Sequence, residues 1–244
     1  MTIARAVLIP FLGTGLGAAC VFGMRGRMSD GLRRALSGFA AGVMAAASVW
    51  SLLLPALEQS APLGAWAFLP AAAGYWAGAA FLMACERFLP QLSAAGERSE
   101  ALLALAVTVH NLPEGMAVGV ACAALLRGAA GVTAAGVFSL ALGIAIQNVP
   151  EGAIIAMPLR ANSMGRCRAF LAGALSGAVE PVGALLTLWL SGLLAPMMPV
   201  FLGFAAGAML HVVARELLPE AGEGSAALFS LGFTLMMALD VAMG

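Results

Sequence analysis

Charge is what this chain has least of. Of its 244 residues only 10% are charged, 12 basic and 12 acidic, with two histidines besides. A soluble domain carries roughly 25% charged residues, so this surface is not built for water. Net charge is zero, which leaves no electrostatic footprint for a nucleic acid. Aromatics make up 7%, too few for a base-stacking surface. Lysine is missing altogether, and all 12 basic residues are arginine, a bias that fits a GC-rich bacterial genome. The four cysteines, Cys20, Cys85, Cys122 and Cys167, are scattered with no Cys-x-x-Cys pair. They are expected to be reduced, packed thiols without a metal or redox role.

What the chain does have is apolar residues, 62% of the total, with a mean hydropathy of +0.98. The fold class this implies is an all-α polytopic membrane protein. A spanning helix takes roughly 20 apolar residues. Apolar runs fall near 4–24, 35–58, 65–88, 101–126, 132–159, 169–195, 198–220 and 225–243. The breaks between them carry arginine, proline or glycine. Eight transmembrane helices leave no room for a soluble domain, so residues 1–244 form a single membrane domain. The first run has no polar cleavage region before Arg25 and reads as a span, not a signal peptide.

The arginines are lopsided. The first, third and fifth loops hold nine of them: Arg25, Arg27, Arg33, Arg34, Arg87, Arg98, Arg160, Arg166 and Arg168. The opposite face holds Arg5 and Arg127. The positive-inside rule therefore makes the odd loops cytoplasmic and places both termini outside, in a bacterial inner membrane.

The fourth and fifth runs carry a near-repeat, His110-Asn-Leu-Pro-Glu-Gly115 and Gln147-Asn-Val-Pro-Glu-Gly152. Adjacent spans run antiparallel, so the repeat is inverted in the membrane. Inverted, proline-interrupted spans point to a midplane site in transporters. Ionisable groups at that depth are costly and functional by default. His110 and Glu114 share a helix face at i,i+4, with Asn111 beside them. Gln147, Asn148 and Glu151 repeat the spacing. Glu180 lies in the sixth run, in Ser176-Gly-Ala-Val-Glu-Pro-Val.

Three carboxylates brought together in low dielectric must take up protons or be neutralised by cations. Two divalent ions would bring +4 against −3. Imidazole, carboxylate and amide oxygen suit Zn, Mn, Fe or Co, and no thiolate is at hand for Cu(I). Pro113 and Pro150 lack an N–H, which frees the carbonyls of Val109 and Ile146. Freed carbonyls beside carboxylates make oxygen-rich ground for a cation.

HNLPEGMAVGV, QNVPEGAIIAMPL, SGAVEPVGALL, SLLLPALE and ELLPEA together resemble the ZIP family of divalent-metal transporters, and within it the bacterial GufA-like branch. The resemblance covers essentially the whole chain. It implies an eight-helix ZIP-like fold with a binuclear metal centre between helices 4, 5 and 6. On that resemblance His110, Glu114, Gln147 and Glu151 form one site. Asn111, Asn148 and Glu180 form the second with the shared glutamates Glu114 and Glu151. The cargo the resemblance implies is Zn2+ or another divalent transition metal (Cd2+, Fe2+, Mn2+, Co2+), with two ions bound. The resemblance also implies movement toward the cytoplasm by an elevator-like shift of helices 1, 4, 5 and 6 against 2, 3, 7 and 8.

Two departures stand out from the family pattern. Asn148 sits where relatives often carry Asp, and Arg215 precedes Glu216 where relatives tend to have His or an acid. Arg215 is expected to pair with Glu216 or Glu220, or to snorkel to the cytoplasmic face. His211, Glu216 and Glu58 are pathway candidates, while Glu86 and Asp240 read as interfacial. Small residues at Gly74, Gly78, Gly203 and Gly207 permit close packing within a protomer or in a homodimer. Two other readings use the same ligands, a passive metal channel and an intramembrane metalloenzyme. The enzyme lacks an HExxH spacing and a second nearby histidine.

Overall fold

The computed structural model describes residues 3–23, 29–88, 99–129, 131–161, 164–194 and 197–243. Among them there is helix and no strand. The helices are α1 (Ile3–Gly23), α2 (Asp30–Gln59), α3 (Phe68–Phe88), α4 (Ser99–Leu126), α5 (Ala134–Ala161), α6 (Arg166–Ser176 and Val179–Leu194, broken at 177–178), α7 (Met198–Ala221) and α8 (Ala226–Met243). Seven segments of the described chain are long and apolar enough to cross a membrane, and α4 adds the shorter apolar stretch Asn111–Leu126. Outward-facing Trp66, Trp76 and Trp189 are more than half exposed, as suits side chains in contact with lipid.

Lipid offers no hydrophobic drive between helices, so close packing of small residues holds them. Four helix pairs meet backbone to backbone, and each uses glycines where any Cβ would collide. In the α1–α5 pair Gly13 and Gly17 lie on Ala145 and Val149. In the α4–α6 pair Gly115 and Gly119 lie on Glu180 and Ala184. Gly42 of α2 meets Phe229 of α8, and Gly232 of α8 meets Phe39 of α2. In the α3–α7 pair Gly74 and Gly78 meet Val200 and Phe204, and Gly203 and Gly207 meet Ala71 and Tyr75. The four glycines that left a homodimer open are thus used inside one chain.

The inverted repeat extends beyond the α4/α5 motif. Gly115 packs on Glu180 and Gly183 on Leu112, while Gly152 packs on Thr14 and Gly17 on Val149. One pair of offsets relates the two sets: 37 residues from α4 to α5 (115 to 152, 112 to 149) and 166 from α1 to α6 (14 to 180, 17 to 183). The α1–α5 pair is therefore the register image of the α6–α4 pair. Likewise α2 and α7 each widen into a π-helical turn, Ser48–Leu53 and Val213–Leu217, just before Pro55 and Pro219. A proline removes one ladder bond and crowds the carbonyl four residues back, and a π turn absorbs that misfit.

The core lies where α2, α5 and α7 meet, around Met44, Leu52, Leu140, Ile144, Leu202 and Met209, all fully buried. Of the cysteines, Cys122 is buried and Cys85 partly so, but Cys20 and Cys167 are exposed. The expectation of packed thiols fails for those two because they stand on the outer faces of α1 and α6. No disulfide joins any of the four.

Candidate metal centre

The site forms where α1, α4, α5 and α6 meet. Asn111, Gln147, Asn148 and Glu180 have no exposure, and Glu114 has 2%. Burying so many polar groups is costly unless each finds a partner. Every donor among them has one. Gln147 Nε2 donates to Glu114 Oε1 at 2.8 Å. Asn111 Nδ2 donates to Glu180 Oε1 and to the Ser176 carbonyl, both at 3.3 Å. Asn148 Nδ2 donates to the Pro10 carbonyl at 3.5 Å. Ser176 and Pro10 are again related by the 166-residue offset. The two motif asparagines therefore do the same job, each tying its helix to a carbonyl one turn before Glu180 or Thr14.

The acceptors are left over. Asn111 Oδ1, Glu114 Oε2, Gln147 Oε1, Asn148 Oδ1 and Glu180 Oε2 are all buried without a hydrogen-bond partner. Buried orphan acceptors are rare in a native protein, and an ion is one of the few things that satisfies them. Here five occur on residues that the sequence motifs single out, and all five are oxygens with free lone pairs. Oxygen donors of this kind fit a hard or borderline divalent cation.

Glu151, on α5, is partly buried and lies within electrostatic range of both Glu114 and Glu180. Asn148 stands close to Glu114 and Glu180 alike. His110 lies on α4, one residue before Asn111; its side chain falls outside the described residues. Among the described residues no three of His, Cys, Asp and Glu gather tightly enough to hold an ion by themselves. The carboxylates are spread, and amide oxygens fill the gaps between them.

Thr14 belongs to none of the sequence motifs. It is fully buried on α1 and donates its hydroxyl to Glu180 Oε1 at 2.8 Å. A threonine in an apolar helix usually satisfies itself on its own i−4 carbonyl, so nothing in the sequence separates it from packing residues. Glu180 itself sits in the first turn after the α6 break, its N–H bonded to the Gly177 carbonyl at 3.0 Å.

The pathway candidates lie elsewhere. Glu58 is exposed and lines a cavity of about 250 Å³ between α2, α8 and the α4–α5 end, shared with Asp240 and Ser51. Ser51 Oγ donates to Asp240 Oδ1 at 2.7 Å. At the opposite end His211 Nε2 lies 2.9 Å from Glu86 Oε1, which fastens α7 to α3. Arg215 reaches the same carboxylate at 3.7 Å, a partner the sequence does not point to, and lies within electrostatic range of Glu216, one of the two expected. Glu220 is taken by Arg33 of α2, which also contacts Asp30 at 3.3 Å. One turn separates His211 from Arg215, so both face Glu86 across the α3–α7 seam. Glu216 lies within electrostatic range of Glu151 as well as of Glu86, Glu220 and Arg215. The Arg215 side chain is 70% exposed, and such pairs contribute about 0–1 kcal/mol. Arg215→Ala should therefore lower the melting temperature by no more than about 4 °C, checked by a thermal melt of the purified protein.

Comparison with known proteins points the same way. The family described as ZIP Zinc transporter matches residues 93–240, which include α4 to α7 and most of α8. The chain belongs to the ZIP family. Relatives include Zinc transporter ZIP11 of Bos taurus, 36% identical over 99% of this chain and 98% of that one. Zinc transporter ZIPB of Bordetella bronchiseptica is 38% identical, covering 96% and 79%. Zinc transporter GufA of Myxococcus xanthus is 36% identical, covering 98% of each. ZIP proteins are transporters and not enzymes, which removes the metalloenzyme alternative. The family and the apolar helices together make this a multi-pass membrane protein.

Proposed function

We propose that this ZIP protein carries divalent transition-metal ions, Zn2+ first among them, across the inner membrane toward the cytoplasm. Eight spans with both termini outside form a single domain around a binuclear site. The reading rests on one observation above the rest: five buried oxygens on Asn111, Glu114, Gln147, Asn148 and Glu180 that have no hydrogen-bond partner. His110, Glu114, Gln147 and Glu151 bind one ion. Asn111, Asn148 and Glu180 bind the other, with Glu114 and Glu151 shared. Two ions bring +4 against −3 from the glutamates, so cargo and site nearly neutralise each other. The ions and the bilayer are its partners, and a homodimer would have to use surfaces other than the α3–α7 glycines.

The path runs between two helix sets. The Glu58 and Asp240 cavity collects cations at the outer end, and Glu216 receives them from Glu151 on the inner side. Helices α1, α4, α5 and α6 share the centre and move as one body against α2, α3, α7 and α8. The test is uptake into proteoliposomes with Zn2+, Cd2+, Mn2+, Fe2+ and Co2+ in parallel. Saturable, temperature-dependent uptake above that of protein-free vesicles supports a carrier. Fast, non-saturating flux points to a channel, and no flux for any metal overturns the reading.

Asn148 lowers the charge of the second site by one relative to an aspartate. A unit charge about 4 Å away is worth roughly 4 kcal/mol at an effective dielectric near 20, and part of it is spent on desolvation. Asn148→Asp should therefore tighten the second ion by at least about tenfold. Titration of purified protein with Cd2+ reads this directly, and unchanged affinity and stoichiometry would place Asn148 outside the ion's reach.

A further inference from the structure

We infer that Thr14 is a positioning residue of the centre, holding Glu180 as a one-oxygen ligand. The inference rests on the reading of Glu180 as a metal ligand. A free carboxylate can present either oxygen or both to a cation. Glu180 cannot, because two donors converge on Oε1: the Thr14 hydroxyl at 2.8 Å and the Asn111 amide at 3.3 Å. Only Oε2 is left without a partner. Glu114 is held the same way, with Gln147 on Oε1 and Oε2 free. Both glutamates thus offer one fixed oxygen each.

The seat for the Thr14 hydroxyl is built. A Cβ on Gly177, at the α6 break, would stand 2.7 Å from Thr14 Oγ1 and 2.8 Å from Glu180 Oε1. A Cβ on Gly152 would run into the Thr14 carbonyl. Two glycines therefore let α1 come close enough for the hydroxyl to reach. Thr14 is also the register image of Glu180 in the repeat, as Pro10 is of Ser176 and Asn148 of Asn111. Where exact repetition would place a fourth carboxylate, the chain has a neutral donor. The two residues meet head-on, and the hydroxyl converts an approach of like charges into a hydrogen bond.

Outer partners of metal ligands typically contribute 10–100-fold to metal affinity. The experiment is Cd2+ titration of the purified protein, scored for stoichiometry and affinity, on wild type, Thr14→Val, Thr14→Ser and Glu180→Gln. Thr14→Val keeps the shape and removes the donor. It should weaken one of the two ions by 10–100-fold and leave the other unchanged, with the metal-free melting temperature close to wild type. Thr14→Ser should restore binding, which a packing role for the methyl group would not predict. Full affinity in Thr14→Val, or failure of Thr14→Ser to rescue, overturns the role of Thr14. Unchanged binding in Glu180→Gln overturns instead the assignment of Glu180 on which it rests.

Discussion

Glu114→Ala reduces zinc uptake in proteoliposomes to the level of protein-free vesicles, a loss of at least about 100-fold, the upper end of what even indirect partners of a metal contribute. The side chain is 2% exposed, with one oxygen held by Gln147 and the other free. Alanine removes that free oxygen and leaves Gln147 Nε2 without an acceptor, so one change removes a proposed ligand and misdirects its neighbour. Glu151→Ala should act as strongly if Glu151 is shared between the ions as proposed; its side chain is only partly buried. The two variants differ in one respect. Glu114 is sealed in the packing, so its loss also perturbs the fold, whereas Glu151→Ala should leave the melting temperature closer to wild type. Both are read as initial uptake rates at matched protein per vesicle. Wild-type uptake in either variant would overturn the shared-glutamate assignment.

The motif half of this centre is legible in the sequence because its elements are chemically loud. A carboxylate, an amide, a proline and a glycine recur at fixed spacing on neighbouring apolar runs, and packing alone demands no such set. The second half of the repeat is silent. Between α1 and α6 the register relation pairs Thr14 with Glu180 and Pro10 with Ser176, which share no chemistry. Gly17 and Gly183 match in type, as do Ala6 and Ala172 and Ala18 and Ala184, but small residues are common in membrane helices. The relation emerges from contacts, because what repeats is where backbones touch. Helix boundaries are legible because apolar length is the signal: α1, α2, α7 and α8 begin and end within about five residues of their hydropathy runs. The break in α6 is not, because Gly177 is one glycine among many in an apolar run. Glu86, which Arg215 reaches, lies on α3, far away in sequence. Of the two acids nearer along the chain, Glu216 is within electrostatic range of Arg215 and Glu220 belongs to Arg33.

Gly115→Ala should destabilise the protein and stop transport together. A Cβ at 115 would land on the carbonyl oxygen, Cα and carbonyl carbon of Glu180, all backbone atoms that cannot turn aside. The α4–α6 pair must then separate or slide. One added methyl in a tight interior costs about 1–3 kcal/mol, and each kcal/mol shifts the melting temperature of a chain this size by about 2–4 °C. A fall of about 2–12 °C is therefore expected. The same displacement moves Glu180 away from Glu114, so uptake should drop much further than stability alone explains. Gly152→Ala makes the mirror-image test, since its Cβ would meet the Thr14 carbonyl and the Ala18 nitrogen. Gly15→Ala is the control within the same set of helices. Nothing lies within 4 Å of a Cβ there, and alanine is the better helix former by about 1 kcal/mol, so this variant should melt at or above the wild-type temperature and transport normally. Opposite outcomes from one chemical change separate close helix approach from any general intolerance of alanine. If Gly115→Ala and Gly15→Ala melt and transport alike, the motif glycines do not set the distance between the glutamates, and the geometry of the centre must be held by the asparagine ties alone.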